Sequence, residues 1–197
     1  MNGPAAEALS ADEIAAWRKE LRRTLIDRRQ AAGDEQRQRW SAAIRVALEA
    51  ELLPPAGRVL GFCWPYQAEA DVVPFVRRWI ELGGKAALPV VVRPRAPMVF
   101  RQWTPTAAMT QGAYDIPIPV DTPDLEPQVL LVPLTGFDAA GYRLGYGGGF
   151  FDRTVVEMTP RPLLVGVGFE LSWVHSIHPQ VHDVPMDIVV TEVGVRL

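Results

Sequence analysis

A glycine-rich segment in the last third of the chain carries the residues best suited to chemistry. The segment reads GYRLGYGGGFFDR, runs from Gly141 to Arg153 and follows an apolar run at residues 129–132. A strand, a loop without Cβ atoms and a helix start together predict a phosphate site, because loop amides can approach an anion closely and the helix N-terminus adds unpaired N–H donors. Arg143 could bind a phosphate through two N–H groups, and Asp152 could hold the magnesium ion that a nucleotide carries.

Hairpin tips and hinges are also glycine-rich, so the segment alone leaves that alternative open. It lacks the Gly-Lys-Ser/Thr ending of a Walker A loop, and its glycines do not have the usual spacing of a dinucleotide-binding fingerprint. The charges of Arg143 and Asp152, which flank the glycines, favour the phosphate site.

Residues 132–153 form a longer pattern, VPLTGFDAAGYRLGYGGGFFDR, which resembles the signature of the 5-formyltetrahydrofolate cyclo-ligase family, also named 5,10-methenyltetrahydrofolate synthetases. Supporting blocks stand in the family's order: RKELR at residues 18–22, EAD at 69–71, IPIP at 116–119, HDVPMD at 182–187 and IVVTE at 188–192. The resemblance implies an ATP- and Mg²⁺-dependent enzyme that converts 5-formyltetrahydrofolate into 5,10-methenyltetrahydrofolate and releases ADP and phosphate. The alternative is a paralogue that binds a nucleotide or a folate on the same scaffold without catalysis.

The resemblance also implies roles for individual residues. In the family, the charged residues of a Lys-x-x-Leu-Arg element contact the nucleotide phosphates, which implies this role for Arg18 and Arg22. The other implied ATP contacts are Arg143, Leu144, Gly145, Tyr146, Gly147, Gly148, Gly149, Phe150 and Phe151. The implied folate contacts are Trp64, Glu69, Tyr146, Gly147, Gly148, Gly149 and Phe150. The implied catalytic residues are Arg143 and Asp152, and the implied magnesium ligands are Asp152 and Asp183.

The chemistry of the implied reaction explains these residue types. A carboxylate such as Glu69 accepts parallel hydrogen bonds from neighbouring ring N–H groups and so fixes the orientation of a pterin. Transfer of the γ-phosphoryl group to the formyl oxygen creates phosphate as the leaving group, and the N10 amine can then attack the formyl carbon. Catalysis consists of alignment and charge neutralisation and requires no protein nucleophile.

Several of these residues also have structural interpretations. Glu69 would serve as a helix cap, Trp64 as part of the core, and the arginines of the first helix as a solvated basic face. Two positions depart from the family pattern. Phe151 stands where a tyrosine is usual, with Tyr146 as a substitute hydroxyl donor, and Arg18 replaces a lysine, which keeps the charge but changes its geometry.

Three histidines near the C-terminus raise the alternative of a zinc or iron site. His175, His178 and His182 lie within eight residues and precede Asp183. Pro179 would break a helix that aligned them, so we favour surface or capping roles for these histidines.

The composition predicts a single-domain cytoplasmic protein. The 20 Lys and Arg residues against 23 Asp and Glu give a formal charge of −3, which provides no general attraction to nucleic acid or to an anionic membrane. An RNA- or DNA-binding module that uses the Arg-rich first helix is the weaker alternative. Cys63 is the only cysteine, so we expect a reducing compartment and a buried, inert thiol. The N-terminal residues lack a secretory pattern, and no apolar run has membrane-spanning length.

The predicted elements alternate as in an α/β fold. Predicted helices cover residues 10–33, 34–51, 71–82 and 150–159, with a helical piece near 170–177. Predicted strands cover residues 58–64, 86–92, 98–103, 129–133, 163–168 and 187–191. Residues 104–128 are predicted to form a long ordered loop, residues 1–9 to be disordered and residues 10–197 to form one domain. A capping box at Ser10 opens the first helix, whose predicted buried face comprises Ile14, Trp17, Leu21 and Leu25.

This order predicts a mostly parallel sheet with helices on both faces. The resemblance adds the expectation of a fold like that of the phosphosugar isomerases and coenzyme A transferases. Ligands of open α/β sheets bind beyond the carboxyl ends of the strands, so the glycine-rich segment, Glu69 and the 104–119 loop should converge on one cleft. We expect a monomer whose partners are the small molecules ATP and a reduced folate.

Overall fold

The structure, a computed structural model, describes residues 10–197; the disorder predicted for residues 1–9 lies outside this part of the chain. The helices are α1 Ala11–Ala31, α2 Asp34–Leu52, α3 Val73–Glu81 and α4 Phe150–Glu157. The strands are β1 Val59–Gly61, β2 Lys85–Val90, β3 Val99–Trp103, β4 Met109–Gln111, β5 Pro117–Pro119, β6 Val129–Pro133, β7 Gly136–Phe137, β8 Arg143–Leu144, β9 Leu163–Val167, β10 Ile188–Thr191 and β11 Gly194–Val195. None of the helices in the described range is long and apolar enough to cross a membrane.

Seven of the strands form one sheet in the order β11-β10-β9-β6-β1-β2-β3. The strands from β10 to β2 run parallel, whereas β3 and β11 pair antiparallel at the two edges. The predicted α/β class with a largely parallel sheet is confirmed. The likeness to phosphosugar isomerases and coenzyme A transferases stays a prediction.

Helices cover both faces of this sheet because its central strands are apolar on both sides. Along β6, Leu131 packs in one cluster with Trp79 of α3 and with α2, whereas Leu130 packs in a second cluster with Val155 of α4. Both strand residues are at most 2% exposed. Continuous apolar runs of this kind are typical of parallel strands buried on two faces.

Helix α1 begins with the predicted capping box, in which Ser10 and Glu13 bond each other's backbone N–H. The prediction of its buried face was only partly right. Leu25 is buried with Leu144 and Ile177, while Ile14, Trp17 and Leu21 are half-buried. The rest of the inward face is basic and carries Arg18, Arg22 and Arg29. These residues are separated by four and seven positions, a spacing that places them on one side of the helix.

The structure differs from the predicted elements in five other details. The predicted loop 104–128 contains the antiparallel ribbon of β4 and β5, in which the short β5 tolerates Pro117 and Pro119 because an edge strand need not use every N–H. The predicted strand 58–64 ends at Gly61, the helical piece near 170–177 is a single 3₁₀ turn at Glu170–Ser172, and the edge strand β11 was not predicted. The glycine-rich segment also begins as strand β8 rather than as loop.

Candidate active site

A cavity of about 460 Å³ lies beside the carboxyl ends of β1, β2 and β6, where the glycine-rich segment, α1 and the β4–β5 ribbon meet. Open α/β sheets bind ligands at this edge. The structure brings all the predicted site residues to this one cavity: Arg18, Arg22, Trp64, Glu69, Arg143, Leu144, Gly145, Tyr146, Gly147, Gly148, Gly149, Phe150, Phe151, Asp152 and Asp183.

The glycines of the segment form a part of the cavity wall that consists mainly of backbone. Gly147 and Gly149 have φ of +92° and +62°, left-handed conformations that favour glycine. The N–H groups of residues 145–149 have no hydrogen-bond acceptor within residues 10–197. Gly149 is the N-cap of α4, so the unpaired donors of the first helical turn continue this row of amides. Consecutive free amides beside a helix N-terminus make a concave site for an anion.

A small hairpin, β7–β8, presents Arg143 at the start of this loop. Asp138 shapes the hairpin turn, since its Oδ1 accepts hydrogen bonds from the N–H groups of Ala140 and Tyr142, both at 3.1 Å. Its Oδ2 accepts the N–H of Ile177 at 3.2 Å and so ties the turn to the chain that follows β9. The position of Arg143 is therefore fixed by backbone pairing and not by a flexible loop.

Arg143 and Asp152 form a two-pronged ion pair inside the cavity wall. Arg143 Nη1 donates to Asp152 Oδ1 at 2.9 Å, and Nη2 donates to Oδ2 at 3.1 Å. Burial alone would raise the pKa of Asp152, but Arg143 and the N–H of Val184 outweigh it and hold that pKa below its ordinary value. Asp152 thus occupies the end of the guanidinium that we expected to bind a phosphate. The Nε–H side of Arg143 has no partner among the described residues.

The two arginines of α1 are held differently. Arg22 Nε donates to the carbonyl of Gly145 at 2.6 Å, and its guanidinium lies against Gly147, with no carboxylate paired to it in residues 10–197. Burial, together with the charge of Arg18, lowers the pKa of Arg22. Arg18 instead forms a half-buried ion pair with Asp183 and donates to the carbonyl of Ile177 at 2.9 Å. Among the arginines that line the cavity, Arg22 is therefore the one whose charge no carboxylate of residues 10–197 neutralises.

Glu69 lies at the other end of the same cavity wall and is linked to the loop by Tyr146. The Tyr146 hydroxyl donates to Glu69 Oε1 at 2.8 Å, and the N–H of Tyr66 donates to Oε2 at 3.0 Å. Burial raises the pKa of Glu69, although both hydrogen bonds and the charge of Arg29 oppose this. Burial and the nearby Glu69 carboxylate also raise the pKa of the Cys63 thiol, so this cavity-lining cysteine stays protonated.

Aromatic and apolar side chains form the remaining walls. The half-buried Trp64 packs edge to face with Trp103 at 6.1 Å between ring centroids. Tyr114, at the tip of the β4–β5 ribbon, packs edge to face with Phe150 at 6.2 Å. The sequence did not single out Tyr114, and its positive φ of 59° has no sequence signal of the kind that a glycine would give. An apolar slot bordered by a few polar groups suits a planar heteroaromatic ligand.

The predicted magnesium ligands are each paired with an arginine, Asp152 with Arg143 and Asp183 with Arg18, and the magnesium site stays a prediction. Asp152 and Asp183 both line the cavity, and Mg²⁺ commonly takes one or two carboxylates together with substrate phosphates and water. Within residues 10–197 no three His, Cys, Asp or Glu side chains are grouped so that they alone could hold a metal ion. The three histidines thus do not form a metal-binding cluster in this part of the chain.

Comparisons with known proteins agree on one family. The sequence model of the 5-formyltetrahydrofolate cyclo-ligase family matches residues 14–192. A 5-formyltetrahydrofolate cyclo-ligase of Mycolicibacterium smegmatis is 28% identical over 183 residues, which are 88% of this chain and 93% of the relative. The enzyme of that name from Escherichia coli K12 is 30% identical over 133 residues, 64% of this chain and 73% of the relative.

Solved structures give the same picture. The 5,10-methenyltetrahydrofolate synthetase of Aquifex aeolicus superposes with a TM-score of 0.77 at 27% identity and covers 91% of both chains. The synthetase of Mycoplasma pneumoniae superposes with a TM-score of 0.73 at 21% identity, over 89% of this chain and 98% of the other, and supports the fold.

Proposed function

The chain belongs to the 5-formyltetrahydrofolate cyclo-ligase family, and on that premise we propose that it converts 5-formyltetrahydrofolate and ATP into 5,10-methenyltetrahydrofolate, ADP and phosphate. Family membership makes the protein a ligase of folate one-carbon metabolism. One observation carries the finer proposal: the free amides beside Arg22 and the carboxylate of Glu69 face the same cavity. An anionic nucleotide and a pterin therefore have separate binding groups within reach of one another.

The phosphate end of ATP binds, in this proposal, to the amides of residues 145–149, to the N-terminus of α4 and to Arg22. Free N–H donors bind phosphate oxygens strongly when the fold already orients them toward the ligand. Arg143 adds its Nε–H side, while Asp152 keeps the other end of the guanidinium in place. A magnesium ion near Asp152 and Asp183 would supply charge neutralisation of the phosphates when it is bound.

The folate end is held by Glu69, with Trp64 and Phe150 as apolar walls. Each oxygen of Glu69 already accepts one hydrogen bond from the protein, and each has a further lone pair for a ring N–H of the pterin. The formyl group then lies toward the glycine-rich loop. This orientation lets one cavity bring the γ-phosphoryl group and the formyl oxygen together.

In the proposed reaction the formyl oxygen takes the γ-phosphoryl group and ADP leaves. The N10 amine attacks the formyl carbon, the C–O bond breaks with release of phosphate, and N10 loses its proton as the ring closes. The protein aligns both substrates and stabilises the negative charge that moves onto the phosphate oxygens, through Arg22, Arg143 and the loop amides. No side chain forms a covalent bond.

Phe151 favours a second candidate, a paralogue that binds ATP or folate without turning them over. Its ring lies 5.7 Å from the Arg143 guanidinium, so the contact with Arg143 requires no hydroxyl, but a proton donor that relatives have would be missing. The hydroxyl of Tyr146 faces Glu69 and not Arg143. A Phe151→Tyr variant that gains turnover while its substrate affinities stay the same would favour this second candidate.

We further propose that the protein acts as a cytoplasmic monomer on small molecules and has no nucleic-acid or membrane partner. The deciding assay incubates purified protein with ATP, Mg²⁺ and 5-formyltetrahydrofolate and follows the methenyl absorbance. We expect product only when ATP is present, and loss of product when EDTA removes the metal and recovery when Mg²⁺ is restored. Absence of ATP-dependent product, in a protein that calorimetry shows to bind both ligands, would replace the enzyme by the non-catalytic paralogue.

A further inference from the structure

A chain of hydrogen bonds connects Arg29, a buried residue in the last turn of α1, to the carboxylate of Glu69. Arg29 Nη2 donates to the Tyr146 hydroxyl at 2.9 Å, and that hydroxyl donates to Glu69 Oε1 at 2.8 Å. We propose that Arg29 and Tyr146 are positioning residues that fix Glu69 for the folate, an inference that rests on the proposed function. Arg29 does not line the cavity, so it acts only through other groups.

The direction of the chain follows from the chemistry of its members. A guanidinium has N–H donors and no acceptor, so the Tyr146 oxygen must accept from Arg29. The single hydroxyl proton of Tyr146 is then committed to Glu69. Since Tyr66 donates its N–H to the second oxygen, the protein holds both oxygens of Glu69 from its own side and leaves their remaining lone pairs to a ligand.

Arg29 also fixes the backbone around Glu69. Its Nε donates to the carbonyl of Gln67 at 3.1 Å, and Nη1 donates to the carbonyl of Leu134 at 3.4 Å. Gln67, two residues before Glu69, has a positive φ of 45°, so this turn is held in an uncommon conformation. One guanidinium thus ties together α1, the turn that carries Glu69, the loop after β6 and the glycine-rich segment.

Arg29 is 2% exposed, and no carboxylate within residues 10–197 forms a salt bridge with it. A buried charge is expensive unless it is compensated, and Glu69 provides the compensation at the far side of the Tyr146 hydroxyl. The two charges therefore support each other, and loss of Arg29 or of the hydroxyl makes the ionised form of Glu69 less favourable.

The other titratable and charged groups around Glu69 line two different surfaces. The groups that line the same cavity as Glu69 are Arg18, Arg22, Cys63, Arg143, Asp152, His182 and Asp183. A second groove, which Glu69 also lines, contains four further charged residues, Asp34, Arg37, Arg45 and Asp71. These groups remain in place when Arg29 or Tyr146 is changed, so a shift in the titration of Glu69 reports the hydrogen-bond chain.

The test compares Tyr146→Phe, Arg29→Met and the double variant with the wild type. Tyr146→Phe keeps the ring, which packs against Tyr66, and removes only the hydroxyl. We expect the KM for 5-formyltetrahydrofolate to rise about tenfold, as for loss of one hydrogen bond to a charged group, with the KM for ATP unchanged. The acid limb of kcat/KM for the folate should move to higher pH, because the raised pKa of Glu69 rises further.

Arg29→Met should shift the acid limb in the same direction, and the double variant should be no worse than the more damaging single variant, since both changes break one chain. Arg58→Met is the matched control: Arg58 also donates to backbone carbonyls, of Leu52 and Pro55, but lies outside the cavity. It should lower thermal stability and leave the pH profile unmoved. If Arg29→Met does not fold, Arg29→Lys, which keeps the charge, should show a smaller shift than Tyr146→Phe.

Equal rises in the KM values for folate and ATP, an unmoved acid limb in Tyr146→Phe, or additive losses in the double variant would overturn the proposal and leave Arg29 a structural residue. Calorimetry with 5-formyltetrahydrofolate separates this failure from failure of the proposed function. A wild type that binds no folate refutes the function itself. A wild type that turns over folate beside a Tyr146→Phe variant that behaves identically refutes only the hydrogen-bond chain.

Discussion

Replacement of Gly147 by alanine tests whether the glycine-rich loop is the phosphate site. Gly147 has φ of +92°, and a Cβ placed there would lie 3.4 Å from the Arg22 guanidinium. A left-handed conformation disfavours alanine by about 1–2 kcal/mol. The lower entropy of the unfolded alanine chain offsets about 0.4–1 kcal/mol of this. The free energy of unfolding should therefore fall by about 1 kcal/mol, which lowers Tm by about 2–4 °C in a protein of this size.

The effect on ATP should be larger than the effect on folding. The methyl group would stand between Arg22 and the loop amides, where we place a phosphate oxygen. Loss of one hydrogen bond to a charged group weakens binding by about 1.5–3 kcal/mol. This corresponds to an ATP affinity reduced by about 10- to 100-fold.

Gly83→Ala is the matched control for backbone strain. Gly83 has φ of +89°, a Cβ there would meet no atom within 4 Å, and the residue lies after α3, outside the cavity. Thermal unfolding should show the same small loss in both variants, whereas calorimetry with Mg-ATP should show weaker binding only for Gly147→Ala. Equal ATP affinities in the two variants would remove the glycine-rich loop from the phosphate site.

Three further predictions use other parts of the structure. Glu69→Gln should raise the folate KM at least about tenfold and leave the ATP KM unchanged. Because burial raises the pKa of Glu69, the wild type loses stability as pH rises through that pKa. Thermal melts near neutral pH should therefore give the wild type a Tm no higher than that of Glu69→Gln. Asp152→Asn should abolish most turnover and lower the free energy of unfolding by about 3 kcal/mol, since it leaves Arg143 buried without its partner. Because the pKa of Asp152 is lowered in the folded protein, the difference in Tm between wild type and variant should vanish as pH falls through that pKa. Leu25→Ala, at a site 1% exposed, should lower the free energy of unfolding in urea by about 3 kcal/mol, whereas Val46→Ala, at a site 60% exposed, should change it by less than about 0.5 kcal/mol.

The parts of the fold that the sequence predicts are those with a strong local pattern. The apolar run of β6 and the long periodic helices α1 and α2 were placed within one or two residues. The short strands β7, β8 and β11 were not predicted, because two or three residues carry no measurable periodicity. The β4–β5 ribbon was hidden for a further reason: its prolines read as loop residues.

The site shows the same division between local and distant information. The glycine-rich segment is contiguous, so its glycines and the flanking charges of Arg143 and Asp152 can be recognised together in the sequence as a predicted phosphate site. The pairing of Arg18 with Asp183 joins residues 165 positions apart, and no local pattern contains it. Arg29 is one of the arginines of the first helix for which the sequence offers a solvated basic face, because nothing in the helix distinguishes a buried arginine from a solvated one.

These distant pairings bear on the ligand that the site would select. Three arginines line the cavity near the glycine-rich loop, but Asp152 and Asp183 neutralise two of them, which leaves Arg22 with its charge uncompensated. A site with so little net positive charge is poorly matched to the full charge of a free triphosphate. It is better matched to a nucleotide whose phosphates are already partly neutralised by a divalent cation, with the loop amides supplying oriented dipoles that need no counter-ion. If the proposed function holds, we therefore expect calorimetry to give tighter binding of Mg-ATP than of free ATP, in a chain whose overall charge is −3.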